Sequence, residues 1–492
     1  MTLSELTTGI PGVQLAAETN PEITGLTYDS RQVSPGDLFF ALPGAKTNGV
    51  EFAAEAAQKG AAAVLTQREL PLVPCPVILA QNAREAMARI ASRFYGEPSR
   101  QLKVAGVTGT NGKTTTAYLI KHLCDRAALR CGLIGTIHYA VGDEILPAAR
   151  TTPESADIQK MFAGMRAAGG RACAMEVSSH ALVQHRADAI QFTAAVFTNL
   201  TQDHLDYHET MDAYYAAKAH LFELLQAGGS KKAKAVINAD DRFGHRLLEQ
   251  FGGKLPIVTY GLGATAQFRA SNVKMDAHGA TYRLEAKGRE YLVRLPLIGM
   301  FNVYNSLAAL AAANALGVEL RAAVAALAQA PQVPGRLERV PAKRSFQVFV
   351  DYAHTDDALR NVLRTLKDLK PARLITVFGC GGDRDKTKRP KMAAAAEEYS
   401  DYVVATSDNP RGEDPQAILA DIRKGLKATW NECIEDREAA IRRAVELAGP
   451  GDIVLIAGKG HENYQEFANG RRIPFDDASV AGRAIHGKAV QS

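Results

Sequence analysis

A glycine-bearing loop that follows a short apolar run is the part of this sequence with the plainest chemistry. The loop begins at Gly109 and reads Gly-Thr-Asn-Gly-Lys-Thr-Thr, and the apolar run before it is Val104-Ala-Gly-Val107. A strand that ends in such a turn and continues into a helix directs backbone N–H groups, and the positive end of the helix dipole, at one anion. The spacing predicts that Lys113 reaches the terminal phosphates of a nucleotide and that Thr114 holds Mg²⁺.

The loop departs from the general nucleoside-triphosphate pattern at one point. Val107 stands where that pattern has its first glycine, and Gly106 lies one place early. The alternative is a plain helix start capped by a threonine, but the strand before the loop and the helix after it favour phosphate binding. The residues that we assign to nucleotide binding here are Gly109, Thr110, Asn111, Gly112, Lys113, Thr114 and Thr115.

Length and composition place this loop in a large globular protein. A chain of 492 residues with 46% hydrophobic and 23% charged residues is long enough for roughly three domains. The net charge of +5 comes from scattered basic residues, which argues against a nucleic-acid partner. Six cysteines without Cys-x-x-Cys or zinc spacing fit a reducing cytoplasm. The sequence shows neither a signal-peptide pattern nor a membrane-spanning stretch, so we expect a cytoplasmic protein with no membrane contact.

Apolar runs alternate with helical patterns along the chain, which predicts an α/β fold with mostly parallel sheets. We expect a small domain over 1–98, a central P-loop domain over 99–332 and a C-terminal domain over 333–492. Each central strand is expected to precede a helix, and ligands of such sheets bind beyond the carboxyl ends of the strands. The predicted strands are 104–107, 132–137, 172–177 and 194–198 in the central domain, with others near Val348, Ile375, Val403 and Val454.

Polar residues follow two of these central strands. Glu176 comes at the end of the third, and His204 lies in the polar run after the fourth. Mg²⁺ prefers oxygen ligands, so a carboxylate beside Thr114 is apt, and an imidazole is tolerable at a second metal. The alternatives are an acidic helix N-cap for Glu176 and an ordinary surface or core histidine for His204.

Several motifs together resemble the Mur ligase family, over essentially the whole chain. They are the loop at Gly109, Glu176-Val-Ser-Ser-His180, Asp203-His204, Lys218, Asp351-Tyr-Ala-His354 and Asp408-Asn-Pro-Arg411. The resemblance implies an ATP-dependent amide ligase that builds the peptide stem of bacterial cell-wall precursors. It also implies a UDP-sugar domain, a central ATPase and a C-terminal dinucleotide-binding-like domain. The family loop reads Gly-Thr-Asn-Gly-Lys-Thr, which accounts for the shifted glycine.

The resemblance assigns further residues to ATP and Mg²⁺. Lys218 matches a lysine that the family carbamylates, whereas by residue type alone a helix lysine is a solvated charge. Asn302 and Asn305 match adenine contacts, although a helix cap is the plainer interpretation. The implied catalytic residues are Lys113, Glu176, His204, Lys218 and Arg336. The implied metal ligands are Thr114, Glu176, His204 and Lys218. Asp351 is implied to contact the ribose of ATP. Asp356 replaces the usual family proline, and an aspartate can start the helix there through the dipole.

The branch of the family that it resembles most adds meso-diaminopimelate to UDP-N-acetylmuramoyl-L-alanyl-D-glutamate. Arg411 carries this implication, because a guanidinium grips the extra carboxylate that distinguishes diaminopimelate from lysine. Asp-Asn-Pro is otherwise a common turn. The implied diaminopimelate contacts are Arg384, Asp408, Asn409, Pro410, Arg411, Gly458 and Glu462. The implied contacts to the UDP-linked dipeptide are Ser30, Lys46, Thr47, Thr151, Thr152, Ser178, Gln184 and Arg186, while Arg150 departs from the asparagine usual in this branch.

The implied reaction has two steps, through an acyl phosphate and ADP. A lysine-adding relative and a folylpolyglutamate-type ligase are the nearest alternatives, and the first hundred residues and Arg411 count against the latter. A regulatory ATP-binding module is the alternative from another class, but it has no need of the second set of polar motifs. We expect a monomer, although the sequence leaves the oligomeric state open.

Overall fold

The computed structural model of the protein describes residues 1–15, 19–44, 47–70, 73–342 and 344–487. Packing divides the chain into two compact units. The first comprises Met1–Ser271, Leu284–Tyr291 and Tyr304–Leu327, and the second comprises Asn272–Arg283, Leu292–Val303 and Ala328–Ser492. The three-domain division at residues 98 and 332 stays a prediction.

The N-terminal part of the first unit is a small α/β layer. Its strands lie in the order β1-β5-β4-β3-β2, parallel except for β1 against β5. The elements are α1 (Leu3–Thr7), β1 (Val13–Leu15), β2 (Gly25–Thr27), β3 (Asp37–Phe40), α2 (Ala53–Gln58), β4 (Ala63–Thr66), β5 (Val77–Ala80) and α3 (Ala83–Phe94). The Asn82 side chain accepts from the backbone N–H groups of Arg84 and Glu85, which fixes the start of α3.

The central sheet of the chain has the order β16-β15-β14-β13-β12-β11-β6-β10-β7-β8-β9. Its elements are β6 (Lys103–Thr108), α4 (Lys113–Arg126), β7 (Cys131–Ile134), β8 (His138–Val141), β9 (Glu144–Pro147), α5 (Ser155–Ala167), β10 (Ala172–Glu176), α6 (Ser179–Val183), β11 (Phe192–Phe197), α7 (Leu205–His208), α8 (Met211–Ala227), β12 (Lys234–Asn238), α9 (Arg242–Phe251), β13 (Ile257–Gly261), β14 (Phe268–Asp276), β15 (Gly279–Ala286), β16 (Arg289–Leu295), α10 (Met300–Ala315) and α11 (Leu320–Leu327).

The register of the central strands decides where the site lies. Strands β10 and β11 both run parallel to β6, with Glu176 opposite Val107 and Phe197 opposite Thr108. The three strands therefore end at the same edge, and the loops that follow them meet there. The predicted parallel core and its carboxyl-end cluster are confirmed.

The sheet departs from simple strand–helix alternation beyond β7. This strand leads into the antiparallel pair β8 and β9, so the prediction that a helix follows it is wrong. Gly142 has a φ of 63° between the two strands, a left-handed conformation that favours glycine and turns the chain back.

The C-terminal sheet belongs to the second unit and has the order β17-β18-β22-β19-β20-β21, parallel except at β17. The predicted strands near Val348, Ile375, Val403 and Val454 are confirmed. The elements are β17 (Glu338–Val340), β18 (Gln347–Asp351), α12 (Asp356–Lys367), β19 (Leu374–Cys380), α13 (Lys388–Tyr399), β20 (Tyr402–Ser407), α14 (Pro415–Arg423), β21 (Glu432–Ile434), α15 (Arg437–Leu447), β22 (Ile453–Ala457), β23 (Tyr464–Glu466), β24 (Arg472–Pro474) and α16 (Asp477–Gly487).

The start of α12 confirms the expectation for Asp356. This residue is the first of the helix, and the Thr355 hydroxyl caps it by accepting from the Ala358 N–H. A carboxylate in the first turn stabilises the helix through its dipole, so proline is not needed there. Among the described helices, none is long and apolar enough to cross a membrane.

Candidate active site

Backbone geometry explains both glycines of the phosphate loop. Gly109 has a φ of 147° and Gly112, the N-cap of α4, a φ of 85°. A Cβ on Gly109 would lie 1.8 Å from Thr198 Oγ1, and one on Gly112 would lie 2.3 Å from Asn305 Oδ1. Both positions therefore require glycine. Since the N-cap is a glycine and not a threonine, the threonine-capped alternative is wrong, and the N–H groups that begin α4 are directed into the loop.

Gly106 has a different task from the loop glycines. It lies inside β6, where an added Cβ would meet the Phe192 ring at 2.7 Å and Leu221 at 3.2 Å. Gly106 is thus a packing residue of β6 and does not belong to the phosphate loop. This explains why the glycine spacing differs from the general nucleoside-triphosphate pattern.

Substituting Gly106→Ala is expected to lower the free energy of unfolding by about 2 kcal/mol through overpacking, with the KM for ATP unchanged. Denaturant unfolding and steady-state kinetics measure the two effects. Gly482→Ala is the matched control, because an added Cβ there meets nothing within 4 Å. A raised KM for ATP at unchanged stability would place Gly106 in the nucleotide site instead.

Glu176 joins the phosphate loop to the loop after β7. Its carboxylate accepts from the Thr114 hydroxyl at 2.9 Å, from the Thr136 hydroxyl at 3.0 Å and from the Thr136 N–H at 2.8 Å. The side chain of Glu176 is buried. The N-cap of the following helix is Ser178, so the N-cap alternative for Glu176 is wrong. Hydroxyl and carboxylate oxygens next to a phosphate loop are the donor set that fits Mg²⁺.

Substituting Glu176→Gln is expected to raise the Mg²⁺ concentration for half-maximal activity about tenfold, because the amide keeps the shape but loses the charge that attracts the ion. Titrating activity with MgCl₂ at saturating ATP measures this. Glu249→Gln on α9, an exposed carboxylate, is the control. An unchanged Mg²⁺ requirement in Glu176→Gln would contradict a role at the metal.

Lys218 lies on α8 with its side chain buried, so the interpretation of this lysine as a solvated charge is wrong. Its Nζ donates to the Gly109 carbonyl at 2.8 Å and lies 4.4 Å from the Tyr214 ring centroid. The Nζ of Lys113 donates to the same carbonyl at 2.9 Å. Burial, and then the charge of Lys113, lowers the pKa of Lys218 well below the ordinary lysine value. A lowered pKa increases the fraction of Lys218 that carries the uncharged, nucleophilic amine.

His204 lies in a group of rings beside the phosphate loop. It begins α7 with a φ of 53°, and its ring centroid is 5.0 Å from that of His180 and 6.1 Å from that of Tyr214. The Tyr214 hydroxyl is 3.3 Å from Thr110 Oγ1. His208 stacks on Tyr214, and burial lowers the pKa of His208 to about 4. The rings therefore join the loop through Tyr214, while a metal-binding role for His204 stays a prediction.

The loop after β11 braces the phosphate loop through residues that we did not assign from sequence. Asn199 accepts through its carbonyl from the Thr110 N–H at 2.8 Å and through its side chain from the Asn111 N–H at 3.0 Å. The Thr198 hydroxyl donates to the Asn111 carbonyl at 2.6 Å. The only available signal was the position of Thr198 and Asn199 directly after an apolar strand.

Five of the predicted contacts to the UDP-linked dipeptide lie close together in the first unit. The Thr152 hydroxyl donates to the Glu176 carbonyl at 2.9 Å and accepts from the Ser178 N–H at 3.1 Å. Arg186 donates to the Thr152 carbonyl at 3.0 Å and to the Gln184 side chain at 2.6 Å. The Thr151 and Thr136 hydroxyls are 3.1 Å apart, which places this group next to the Glu176 cluster.

Glu154 holds three arginines from separate stretches of the first unit. Its carboxylate, 4% exposed, lies 2.8 Å from Arg84, 2.6 Å from Arg150 and 3.2 Å from Arg186. Arg150, the residue that departs from the family pattern, thus has a charge partner in this chain. A guanidinium at position 150 is accommodated because the buried carboxylate needs cationic partners.

Three of the predicted contacts to the UDP-linked dipeptide precede residue 50 in the sequence. Lys46 lies outside the described residues, and Thr47 is exposed. Ser30 is buried, and its carbonyl accepts from Lys59 at 2.9 Å. The adjoining Tyr28 donates to Asp157 at 2.6 Å. A cavity of about 130 Å³ lies against this loop and is lined by Leu26, Thr27, Tyr28, Asp29, Gln32, Tyr95, Ala156, Asp157 and Lys160.

The predicted adenine residues are both buried near the start of α10. The Asn302 side chain donates to the Ile298 carbonyl at 2.8 Å. The Asn305 side chain accepts from the Thr116 hydroxyl at 3.4 Å, next to Gly112. These contacts position the two amides, and their contact with adenine stays a prediction.

In the second unit, Arg336 and Asp351 flank the end of β18. The Arg336 guanidinium lies 5.0 Å from the Tyr352 ring centroid. Asp351 accepts from the N–H groups of Leu337 and Ala353 at 2.7 and 2.8 Å, and burial raises the pKa of its carboxyl group. Asp351 thereby fixes the segment that carries Arg336, while the ribose contact stays a prediction.

Predicted amine-binding residues gather at the carboxyl end of β20 and β22. Asn409 donates to Glu462 at 2.8 Å, and the buried Lys459, which sequence reasoning missed, donates to Asn409 at 2.9 Å and to Glu462 at 3.0 Å. A Cβ on Gly458 would lie 2.6 Å from Asp408 Oδ2. The hydrogen bonds with Lys459 hold Asn409 and Glu462 in an internal network, which a simple Asp-Asn-Pro turn would not need.

Arg411 lies at the edge of this network in a left-handed conformation with a φ of 52°. Its Nη1 donates to the Gly382 carbonyl at 2.9 Å, and its Nε is 3.5 Å from Glu466 Oε2. Pro410 precedes it, and Arg384, on the neighbouring loop, is exposed and donates to the Asp383 carbonyl at 3.1 Å. A partly exposed guanidinium with one long carboxylate contact is suited to gripping an anionic ligand.

The P-loop fold and the polar cluster of each unit are those of an ATP-dependent amide ligase, and comparison with known families agrees. Three family models match the chain: the Mur ligase family, catalytic domain, over residues 22–95, the Mur ligase middle domain over 107–313, and the Mur ligase, glutamate ligase domain, over 335–460. The chain belongs to the Mur ligase family.

Individual relatives are similar over nearly their whole length. The UDP-N-acetylmuramoyl-L-alanyl-D-glutamate–2,6-diaminopimelate ligase of Solibacter usitatus is 46% identical over 95% of this chain and 94% of the relative. The ligase of the same name from Geobacillus kaustophilus is 46% identical over 99% of each chain. A solved structure of a ligase with this name is 36% identical, covers 99% of each chain and has a TM-score of 0.72.

Proposed function

We propose that the protein is an ATP-dependent ligase that adds meso-diaminopimelate to UDP-N-acetylmuramoyl-L-alanyl-D-glutamate, in the synthesis of peptidoglycan precursors. One observation carries the proposal: the Gly109 carbonyl accepts from both Lys113 and the buried Lys218, beside the Thr114 and Glu176 oxygens. A simple ATP-binding module has no need of a second, buried lysine at its phosphate loop. An enzyme that gathers anions around a phosphoryl transfer does need a second lysine there.

The reaction needs little covalent chemistry from the protein. The D-glutamyl carboxylate oxygen attacks the γ-phosphorus of ATP, the bond to the β,γ-bridging oxygen breaks, and an acyl phosphate and ADP result. The amine of diaminopimelate then attacks the acyl carbon, phosphate leaves, and the amine loses a proton. Lys113 and Arg336 neutralise developing phosphate charge, and the start of α4 orients the phosphates. When bound by Thr114 and Glu176, Mg²⁺ supplies further positive charge.

Lys218 is proposed to act as its carbamate. The uncharged amine attacks the carbon of CO₂ and releases a proton to solvent, so the neutral amine becomes an anionic carbamate. Its position on the Gly109 carbonyl and its lowered pKa favour this reaction, because an ammonium group has no lone pair for the attack. The carbamate would add oxygen ligands for Mg²⁺ to those of Thr114 and Glu176, with His204 as a further candidate ligand.

The choice of amine is assigned to the second unit. Asn409, Glu462 and Gly458 would bind the reacting end or the distal ammonium of diaminopimelate, and Arg411 with Arg384 would bind its additional carboxylate. L-lysine lacks that carboxylate and would leave Arg411 without an anion. This interpretation disfavours the lysine-adding alternative, and the N-terminal α/β layer disfavours a folylpolyglutamate-type ligase.

The remaining substrate contacts and the setting are proposed on the same basis. The group at Thr152, Ser178 and Arg186 would bind the sugar and its dipeptide, and the loops at Ser30 and Thr47 would bind the uridine end. We place the enzyme in the cytoplasm as a monomer, without nucleic-acid or membrane partners. The proposed domains are 1–98 for the UDP-sugar substrate, 99–332 for ATP and 333–492 for the amine.

The direct test is a coupled assay of ADP release with the purified protein, ATP, Mg²⁺ and the UDP-linked dipeptide. Adding meso-diaminopimelate is expected to give ADP and a UDP-linked tripeptide, and L-lysine to give at least a hundredfold less product. The absence of ADP release with either amine would reject the ligase function. Preference for L-lysine would reject the assignment of Arg411 alone.

A further inference from the structure

Two histidines and one aspartate form a cluster away from the proposed phosphate and amine sites, where the loop after α6 meets α8. His185 Nδ1 is 2.8 Å from Asp188 Oδ2, and His220 Nε2 is 3.4 Å from Asp188 Oδ1. One ligand-type atom from each of the three side chains lies within 4.8 Å of the others. Small rotations of the side chains would bring these atoms to the separations of a shared metal ion, whose bonds to nitrogen and oxygen are about 2.0–2.2 Å.

A fourth residue defines how His220 faces the cluster. The Nδ1 of His220 is 2.9 Å from Glu223 Oε2, so this nitrogen donates its proton to the Glu223 carboxylate. The ring also donates from Nε2 to Asp188 Oδ1 at 3.4 Å, because the hydrogen bonds to the Asp188 and Glu223 carboxylates raise the pKa of His220 to about 9. A metal ion bound by Asp188 and His220 would replace the proton on Nε2.

We propose that His185, Asp188 and His220 form a binding site for a divalent transition-metal ion such as Zn²⁺. Two imidazoles and one carboxylate are a common ligand set for such ions and a poor one for Mg²⁺. The Glu223 carboxylate orients His220 as second-shell carboxylates orient metal-bound histidines. The His185 and His220 side chains are 30% and 28% exposed, which leaves water access to a fourth position.

The site would connect two parts of the first unit that the proposed function uses. His185 lies between Gln184 and Arg186, the predicted contacts to the dipeptide, and His220 lies on α8 two residues beyond Lys218. An ion at this point would fix the loop that carries His185 to α8. The binding proposal itself does not depend on the ligase activity, because it rests on the ligand geometry alone.

Metal binding to the full-length protein tests the proposal. The protein is stripped with a chelator, excess Mg²⁺ is added to occupy the phosphate site, and Zn²⁺ is titrated in competition with a chromophoric chelator. Wild type is expected to bind one tight equivalent that Asp188→Asn and His220→Gln lose, with affinity at least a hundredfold lower. Glu223→Gln is expected to weaken it 10–100-fold. His278→Asn is the control, an exposed histidine 3.7 Å from the single carboxylate of Asp276.

The ring group of His180, His204 and His208 could also bind Zn²⁺, and the variants separate the two sites. A zinc ion held there would persist in Asp188→Asn and Glu223→Gln, and that result would overturn the proposal, as would the absence of a tight equivalent in wild type. Zn²⁺ is also expected to raise the thermal midpoint of wild type and not that of Asp188→Asn. Should Asp188→Asn fail to fold, Glu223→Gln decides the outcome, since the Glu223 side chain is 54% exposed.

Discussion

Substituting Lys218→Ala is expected to lower kcat about a thousandfold, a loss of about 4 kcal/mol of transition-state stabilisation, with the KM for the amine little changed. The reason is the position of Lys218 rather than its charge. Its Nζ lies on the Gly109 carbonyl inside the phosphate loop, and as a carbamate it would organise the ion that neutralises the transferring phosphoryl group. Single-turnover measurements of ADP formation separate this effect from product release.

Three further measurements distinguish a carbamate from a lysine that only packs. Lys218→Arg introduces a permanent cation and cannot form the carbamate, so it is expected to be as inactive as Lys218→Ala. Wild type is expected to lose activity in CO₂-depleted buffer and regain it with bicarbonate. With ¹³C-labelled bicarbonate, a carbamate resonance is expected in wild type and not in Lys218→Ala. Full activity in Lys218→Arg would remove carbamylation from the mechanism.

Substituting Arg411→Ala is expected to lower kcat/KM for meso-diaminopimelate by 10²- to 10³-fold, about 3–4 kcal/mol, and to leave the small rate with L-lysine unchanged. The guanidinium has a carbonyl contact to Gly382 and a long one to Glu466, and neither satisfies it as a substrate carboxylate would. Removing it takes away a charge-assisted, two-pronged contact from one substrate, whereas lysine never had this contact.

The control for this substitution is Arg423→Ala, an exposed arginine at the end of α14 in the same unit. It changes the net charge equally and is expected to leave both amines unaffected. The ratio of kcat/KM for the two amines, measured at saturating ATP, is the decisive quantity. An equal loss with both amines in Arg411→Ala would mean that the residue supports the loop and does not read the carboxylate.

The burial of Lys218 is readable from the sequence in physical terms, although residue type alone predicts a solvated charge. Tyr214 and Tyr215 precede it by one helical turn, and Leu221 and Phe222 follow it by one turn, and all four are buried. Residues three and four apart share a helix face. A lysine at the centre of an apolar stripe is therefore a buried lysine. The parallel strands and the glycines of the phosphate loop were readable for similar, local reasons.

Other parts of the site could not be read from local sequence. Thr136, which binds Glu176 through two hydrogen bonds, lies in a segment predicted to continue a strand toward a helix. Its position depends on the antiparallel turn into β8, and a short apolar run does not distinguish that turn from βαβ alternation. Lys459 similarly gains its role from a contact to Asn409, fifty residues away along the chain. Such pairings require the register of the sheet, which sequence periodicity alone does not determine.

The charges around Glu154 affect the association rate of the UDP-linked substrate. Its single carboxylate faces three guanidinium groups, those of Arg84, Arg150 and Arg186, so a surplus of positive charge remains beside the proposed dipeptide contacts. A UDP-linked substrate carries a diphosphate and carboxylates, and opposite charge accelerates diffusional encounter in a manner that salt screens. The association rate of this substrate is therefore expected to fall with ionic strength, as stopped-flow binding would measure. Arg150→Asn would reduce that salt dependence without altering the chemistry of the phosphoryl transfer.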